Sequence, residues 1–227
     1  MKVVTLFTES HKEMLNDYFL PTFPKDERLE LKIVEAPQMA GDKPVFNSDE
    51  WKTFMKIKGK LLEDELLSTP EGEFYLFLDV DLLVVQNFHD FLIKEMEGYD
   101  FVCQSDSCFP HIINTCTGCI AFRNTAATRN ILKAINVFSD RFKQEQEALT
   151  FFAANHTKYE ELQELKYKTF SKENAFSYGL LNGRVWNEDD YDFQMPDKKD
   201  LYWAHANFTY HDSKKPLLDL FKKKLDI

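Results

Sequence analysis

The chain has 227 residues, of which 44% are hydrophobic and 29% charged, a composition that suits one ordinary globular α/β domain. Its net charge of −10 argues against a nucleic-acid groove, because such grooves hold phosphates with clustered Lys and Arg. The 21 phenylalanines and only 7 glycines indicate a packed core and argue against repeat or low-complexity structure. Any phosphate that this acidic chain binds is therefore expected to come with a metal ion.

Strand-like and helix-like segments alternate along the whole chain, without a linker that would divide it. The apolar patterns predict strands at 2–8, 29–36, 74–80, 101–104, 118–122, 167–170, 183–186 and 201–206. They predict helices that begin at Ser10 and end before Pro21, and at 48–67, 88–96, 125–138, 142–154 and 217–225. This alternation predicts a single three-layer α/β/α, Rossmann-like domain over 1–227. Its mixed sheet should be mostly parallel, with ligands at the carboxyl ends of the strands.

The segment 73–85 is apolar except for Asp79 and Asp81 near its middle. Burying an unpaired carboxylate costs several kcal/mol, so both acids should lie where the strand emerges from the core. Residues two apart in an extended chain point to the same side, and two oxygen donors there suit Mg²⁺ or Mn²⁺ carrying phosphates. The simpler interpretation is a strand end whose solvated acids cap a turn.

Other polar residues follow predicted strands and should reach the same edge of the sheet. Thr8 and Glu9 follow the first strand, Asp106 follows the strand at 101–104, and His205 lies in the last one. With the two acids, the imidazole of His205 would complete a set suited to Mn²⁺, which accepts nitrogen more readily than Mg²⁺ does. A histidine in an aromatic segment can equally be a hydrogen-bonded structural residue.

Two groups of lysines flank the acids in the sequence. They are Lys56, Lys58 and Lys60 on one side, and Lys214 and Lys215 on the other. Diphosphate chemistry needs cations that neutralise the charge building on the leaving oxygen. Any one of these lysines, taken alone, is more simply a solvated surface charge.

The ends of the chain bear on its location. The N-terminal apolar run is too short for a signal peptide or a membrane span, and we expect a cytoplasmic protein. The amphipathic helix at 217–225 carries three lysines, Lys222 to Lys224, and has two interpretations. It makes weak contact with an acidic membrane surface, or it closes the sheet, since basic residues also suit the last turn of a helix.

Four segments together resemble the nucleotide-sugar-dependent glycosyltransferases of the GT-A fold. They are Phe77-Leu-Asp-Val-Asp-Leu-Leu-Val84, Cys116-Thr-Gly-Cys-Ile-Ala-Phe-Arg123, Glu145-Gln-Glu-Ala-Leu149, and His205-Ala-Asn-Phe208 with Lys215. In order, they are similar to the Asp-x-Asp strand, the acceptor-side strand, the Asp-Gln-x-x-Leu helix start and the late His-x-Asn…Lys element of that family. The likeness is closest to glycogenin-like and other small transferases, and the short chain is similar to glycosyltransferase domains of large algal viruses.

This resemblance implies a donor that is a nucleotide-diphosphate sugar, most simply a UDP-sugar, and an acceptor hydroxyl on a glycan or glycoprotein. Asp79 would contact the ribose and the metal, while Asp81 and His205 would ligate the metal, Mn²⁺ or Mg²⁺. Thr8 and Glu9 would line the nucleoside site.

Two lysines acquire roles from the same resemblance. Lys215 would approach the diphosphate, and Lys60 is the upstream lysine expected at the donor. The chain also departs from the family pattern at three positions. Glu145 replaces Asp, Thr117 stands where Asn or Ala is usual, and His211 falls where Gly is expected.

The stereochemical course stays open at this stage. An inverting enzyme needs a carboxylate base near the acceptor hydroxyl, and the candidates are Asp106, Glu145, Asp189 and Asp190. A retaining enzyme needs no strong base, and Gln146 would then hold the sugar.

Two further classes compete with this interpretation. A haloacid-dehalogenase-type phosphatase also has a strand ending in Asp-x-Asp, but it expects Gly-Thr-like residues where Leu82 and Leu83 stand. A zinc-stapled binding module would use four cysteines that lie within 17 residues, Cys103, Cys108, Cys116 and Cys119. Only the last pair has Cys-x2-Cys spacing, which favours reduced core thiols.

Overall fold

A six-stranded sheet in the order β2-β1-β3-β6-β5-β7 forms the centre of the protein in a computed structural model. The structure describes residues 1–38, 48–105, 115–142, 144–178, 195–207 and 211–227, with the backbone alone at 211 and 212. The strands of this sheet are β1 Lys2–Phe7, β2 Glu30–Glu35, β3 Phe74–Leu78, β5 Phe101–Ser105, β6 Thr115–Arg123 and β7 Tyr167–Thr169.

The sheet is mixed and mostly parallel, as the alternation of strands and helices predicted. β1 pairs in parallel with β2 and β3, and β5 with β7, whereas β6 runs antiparallel to both β3 and β5. The carboxyl ends of β1, β3 and β5 therefore lie at one edge of the sheet.

Hydrophobic clusters cover both faces of this sheet and define three layers. Leu76 and Leu78 of β3 belong to one cluster, while Tyr75 and Phe77 belong to the other, because neighbouring residues of a strand point to opposite faces. All four side chains are fully buried. The continuous apolar run of this strand is explained by burial on both faces.

A second, three-stranded sheet in the order β4-β9-β8 was not predicted. Its strands are β4 Leu82–Val84, β8 Ala175–Tyr178 and β9 Trp203–Ala206. No strand was predicted at 82–84, where the chain has left the central sheet and pairs with β9. The predicted strand at 183–186 lies outside the described residues.

The helices surround the two sheets. They are Asp49–Ser68, His89–Glu95, Ala126–Val137, Glu145–Ala154 and His211–Leu225, preceded by consecutive 3-10, α, π and α turns at Glu9–His11, Lys12–Met14, Leu15–Phe19 and Leu20–Thr22. Ser48 caps the longest one by accepting a hydrogen bond from the backbone N–H of Trp51. The predicted helix at 142–154 begins later, at Glu145. The last helix begins at His211 rather than after Pro216, and this proline lies inside it, where it cannot donate a backbone hydrogen bond.

The last helix places its apolar side chains in the core. These are Leu217, Leu218, Leu220, Phe221 and Leu225. Their burial explains the amphipathic pattern without a membrane surface. None of the helices in the described part of the chain is long and apolar enough to cross a membrane.

Candidate active site

Asp79 and Asp81 lie directly after β3, in the short connection between the central sheet and β4 of the second sheet. The backbone N–H of Asp79 donates to the carbonyl of Gly118 in β6 at 2.7 Å, and the carbonyl of Asp81 accepts from Ala206 of β9 at 2.9 Å. One acid is thereby tied to each sheet. The side chain of Asp79 is 28% exposed and that of Asp81 only 6%. Both carboxylates sit at the sheet edge that the sequence predicted.

His205 of β9 joins the two acids. Its partner in the register of β4 is Leu82, the residue after Asp81, and its Nε2 lies 3.1 Å from Asp81 Oδ1. One possible ligand atom from each of Asp79, Asp81 and His205 lies within 4.8 Å of the others. Among the residues that the structure describes, this is the one group of three His, Cys, Asp or Glu side chains close enough to hold a metal ion.

Gln104 of β5 orients the histidine ring, a contact that no pattern in the sequence predicted. His205 Nδ1 lies 2.9 Å from Gln104 Oε1, and Gln104 Nε2 donates to the carbonyl of Phe176 at 2.8 Å. An amide oxygen can only accept, so Nδ1 carries a proton and Nε2 faces the carboxylates. Metal-binding histidines are commonly held by such a partner on the second ring nitrogen.

The charges of Asp81 and His205 stabilise each other in the core. Burial disfavours the ionised form of Asp81, but Lys214 and His205 hold the pKa of this carboxyl well below its usual value. Burial also lowers the pKa of His205, but the adjacent Asp81 carboxylate outweighs it and raises the pKa to about 10. Without a metal, the pair is therefore an ion pair at neutral pH.

Lys58 is the lysine of the long helix that reaches the site. Its Nζ donates to both oxygens of Asp79, at 2.9 and 3.1 Å, and lies 3.5 Å from Glu145 Oε1. Its side chain is only 6% exposed. Desolvation lowers the pKa of Lys58, but Asp79 and Glu145 outweigh it and raise the pKa above its usual value. A sequence signal existed, because Lys58 lies four residues after Phe54 and four before Leu62, on the apolar stripe.

Lys60, the lysine expected at the donor, points elsewhere. Its side chain is 59% exposed, and its Nζ pairs with Asp64 at 2.8 Å and Glu63 at 3.3 Å on the helix surface. Successive residues of a helix are rotated by about 100°, so two steps move a side chain to another face. The structure therefore favours Lys58 over Lys60 as the lysine beside the acids.

At the last helix too, the lysine that reaches the acids is not the one that was expected. Lys214 pairs with Asp81 Oδ2, whereas Lys215, which the family resemblance placed at the diphosphate, pairs with Glu13. The side chain of Lys214 is 20% exposed and that of Lys215 is 47% exposed. Lys214 is therefore the lysine that this structure brings to the acids.

Glu145 and Gln146 both contact Thr117 of β6, and Glu145 also lies next to Lys58. Thr117 Oγ1 donates to Glu145 Oε1 at 2.8 Å, and the Thr117 backbone N–H donates to Gln146 Oε1 at 3.3 Å. Glu145 is 7% exposed, and its Oε2 has no hydrogen-bond partner among the described residues. A buried carboxylate oxygen without a donor is costly, which marks it as a position for a ligand group.

Gly118 of β6 allows the ligands to come together. A Cβ at this position would lie 2.5 Å from Asp79 Oδ2 and 2.5 Å from His205 Cε1, closer than real carbon contacts permit. This glycine is needed for space, because the two metal-ligand candidates occupy the volume of its missing side chain.

Thr8 and Glu9 follow β1 at the same sheet edge. Thr8 is 6% exposed, and its Oγ1 lies 2.9 Å from Ser10 Oγ and 3.0 Å from His11 Nδ1. The Glu9 side chain is 60% exposed and pairs with Lys12 at 3.1 Å. Three further candidates, Asp106, Asp189 and Asp190, and the side chain of His211 lie outside the described residues.

The described cysteines are core residues. Cys103, Cys116 and Cys119 are free and buried, and burial raises the pKa of Cys103 and Cys119 above the usual value. None of the three belongs to the metal-binding group. Cys108 lies outside the described residues. The described cysteines therefore give the zinc-staple interpretation no support.

A cavity of about 620 Å³ adjoins the site and shares Glu145 with it. Its walls carry both signs of charge and an aromatic ring. They include Lys52, Lys56, Arg141, Phe142 and Gln144. This volume falls in the range of pockets that hold small molecules, which is about 300–1,000 Å³.

The mixed, mostly parallel central sheet matches the GT-A fold of solved glycosyltransferases. A glycosyltransferase involved in the glycosylation of the major capsid of PBCV-1 superimposes with a TM-score of 0.61 at 11% identity, covering 96% of this chain and 98% of that one. The galactosyltransferase LgtC, in complex with donor and acceptor sugar analogs, gives 0.51 at 10% identity, over 91% and 87%. Mouse xyloside xylosyltransferase 1 gives 0.51 at 9% identity, over 91% and 98%.

These similarities confirm the fold that the four sequence segments predicted. Neither a protein-family model nor a curated protein sequence matches the chain. The fold that the chain shares with these solved structures is therefore the GT-A fold.

Proposed function

We propose that the protein is a metal-dependent glycosyltransferase that moves a sugar from a UDP-sugar to a hydroxyl group of a glycan or glycoprotein, as a single GT-A domain over 1–227. The observation that carries this proposal is the convergence of Asp79, Asp81 and His205 at the carboxyl end of β3 in this fold. Ligands of open α/β sheets bind at that end of the strands.

The donor set fits Mn²⁺, and also Mg²⁺. Two carboxylates and one imidazole face a common point, and Gln104 holds the imidazole so that Nε2 is on the ligand side. Asp79, Asp81 and His205 would hold the ion, which, when bound, supplies positive charge that stabilises the departing nucleoside diphosphate.

The remaining side chains have roles set by their positions. Thr8 and Glu9, after β1, would line the nucleoside site. Lys58 holds Asp79 in place through both carboxylate oxygens, which fixes the orientation of that acid. Glu145 Oε2, which lacks a donor, would accept a hydrogen bond from a sugar hydroxyl, with Gln146 beside it. Glu145 is also a described candidate for the base of an inverting reaction.

We further propose that the acceptor saccharide binds in the cavity that ends at Glu145. Sugars are bound by hydrogen bonds to charged and amide side chains and by packing against aromatic rings, and Arg141, Gln144 and Phe142 supply these groups. Since Glu145 belongs to both the cavity and the site, an acceptor there would be next to the donor.

Arg141→Ala should raise the acceptor KM about tenfold while leaving the affinity for UDP within about twofold of the wild type, because one charged hydrogen bond is worth about 1.5–3 kcal/mol. The measurement uses the oligosaccharide that the wild-type enzyme glycosylates in a screen. Lys133→Ala, which removes an exposed cation from the neighbouring helix outside the cavity, is the matched control. An unchanged acceptor KM in Arg141→Ala would place the acceptor elsewhere.

Titration calorimetry with UDP, with and without Mn²⁺, tests the proposed function. The wild type should bind UDP at least about tenfold more tightly with Mn²⁺, because an ion held by the carboxylates would supply positive charge next to the phosphates. In Asp81→Asn the two affinities should lie within about twofold of each other. Asp90→Asn, which changes an exposed acid on another surface, should behave as the wild type. If Mn²⁺ leaves UDP binding unchanged in the wild type, the proposed function is wrong.

A further inference from the structure

Each of the two oxygens of Asp81 contacts a side-chain nitrogen. Oδ1 contacts His205 Nε2 at 3.1 Å, and Oδ2 pairs with the ammonium group of Lys214. Lys214 therefore holds one face of a carboxylate that belongs to the proposed metal site. A divalent cation and this ammonium group would compete for Asp81.

The position of Lys214 in its helix makes this contact specific. The helix His211–Leu225 begins three residues earlier, so Lys214 lies in the first turn. Positive charge is disfavoured there, because the N-terminal end of a helix already carries a partial positive charge. The Asp81 carboxylate offsets this cost. The next lysine, Lys215, turns away to Glu13 and offers a natural comparison.

The location of the pair makes the competition strong. The side chain of Asp81 is 6% exposed and that of Lys214 is 20% exposed, so solvent screens the two charges poorly. An ion bound to Asp81 would repel an ammonium group that stayed in place. Movement of the ammonium group away from Asp81 would relieve this repulsion, and the diphosphate of a bound nucleotide would offer it another negative charge.

We propose that Lys214 is an internal counter-ion that occupies Asp81 until metal and nucleotide bind together. It weakens the binding of a free divalent cation, and it pairs with the diphosphate once the metal has taken its place. Metal and nucleoside diphosphate then bind with positive coupling, each strengthening the other by the same factor. This inference rests on the proposed function, since it assumes a metal and a nucleotide at this site.

Lys214→Met should bind Mn²⁺ alone at least about tenfold more tightly than the wild type, because the competing charge is gone. The factor by which UDP strengthens Mn²⁺ binding should fall by at least about tenfold in the same variant. Both quantities come from calorimetric titrations with Mn²⁺, with and without saturating UDP. Lys214→Arg, which keeps the charge, should remain within about threefold of the wild type, and Lys215→Met should leave the affinity for Mn²⁺ alone nearly unchanged.

The outcomes separate this inference from the proposed function. If the wild type shows Mn²⁺-dependent UDP binding but Lys214→Met binds Mn²⁺ no more tightly, the counter-ion role is wrong and the transferase proposal stands. If the wild type binds neither Mn²⁺ nor UDP, both fail. Equal gains in Lys214→Met and Lys215→Met would show a general charge effect and overturn the specific role.

A measurement on the wild-type protein keeps the proposal testable if a variant does not fold. Acetylation by an N-hydroxysuccinimide ester, followed by mass spectrometry, reports how available each lysine amine is. Lys214 should react slowly in the metal-free protein, faster with Mn²⁺ alone, and slowly again with Mn²⁺ and UDP. Identical reactivity of Lys214 in all three conditions would contradict the proposal.

Discussion

Gly118→Ala is expected to reduce the rate of the proposed sugar transfer, followed as UDP release, by at least about a hundredfold, since displacements near 1 Å at a reacting centre have effects of this size. The new methyl group would lie 2.5 Å from both Asp79 Oδ2 and His205 Cε1. Gly118 is held in β6, between the paired β3 and β5, so the backbone has little freedom to retreat. The two side chains must separate, and the metal-binding group is lost. Steady-state assays of UDP release measure the effect.

Gly59→Ala is the matched control for this prediction. Its methyl group would approach Asn136 Oδ1 at 2.7 Å, but that atom ends a side chain that can rotate. Alanine is also favoured over glycine inside a helix by about 1 kcal/mol. This variant should keep at least about half of the wild-type rate. A folded Gly118→Ala protein with a wild-type rate would exclude Asp79 and His205 as a joint ligand group.

Lys58→Met is expected to lower the free energy of unfolding by about 3 kcal/mol, the cost of removing one partner from a buried ion pair. Lys58 lies between Asp79 and Glu145, and its loss leaves two carboxylates facing each other without a cation. For a chain of this length, about 3 kcal/mol corresponds to a fall of about 6–12 °C in Tm. Urea unfolding of the metal-free protein, followed by circular dichroism, gives the free energy directly.

Two comparisons make the Lys58 prediction specific. Lys60→Met removes the same charge two residues along the same helix, from a side chain that is 59% exposed, and should leave the free energy of unfolding nearly unchanged. The double variant Lys58→Met with Glu145→Gln should recover part of the loss, because only one buried carboxylate then lacks a partner. Equal destabilisation by Lys58→Met and Lys60→Met would contradict the buried role of Lys58.

The two lysine–carboxylate pairs differ in how the lysine contacts the acid. Lys58 contacts both oxygens of the partly exposed Asp79, and Lys214 contacts one oxygen of the buried Asp81. The carboxylate of the first pair is 28% exposed, whereas that of the second is only 6% exposed and is also contacted by His205. We therefore expect Lys58 to influence mainly stability and orientation, and Lys214 to influence metal affinity.

Local apolar patterns were enough to predict the strand that carries the acids, and the family resemblance predicted the fold. Sequence position also predicted that Asp79, Asp81 and His205 would lie together, as they do. Phe74–Leu78 is apolar without alternation, which requires burial on both faces, and the polar residues that follow must emerge at its end. His205 was placed with the acids from its position in the last predicted strand. These conclusions depend on local patterns and on the rule that parallel strands present their carboxyl ends together.

Contacts between distant parts of the chain determine which side chains surround the two acids. Lys58 meets Asp79 across 21 positions of sequence, and Lys214 meets Asp81 across 133, so neither local pattern carried their pairing. Sequence position and the family resemblance favoured Lys60 and Lys215 instead. A shift of one or two residues moves a side chain to another face of a helix, which is why these neighbours do not reach the acids. The contact of Gln104 with His205 and the second sheet were not predicted either. Their contacts join strands far apart in the chain, and only the folded backbone brings those strands together.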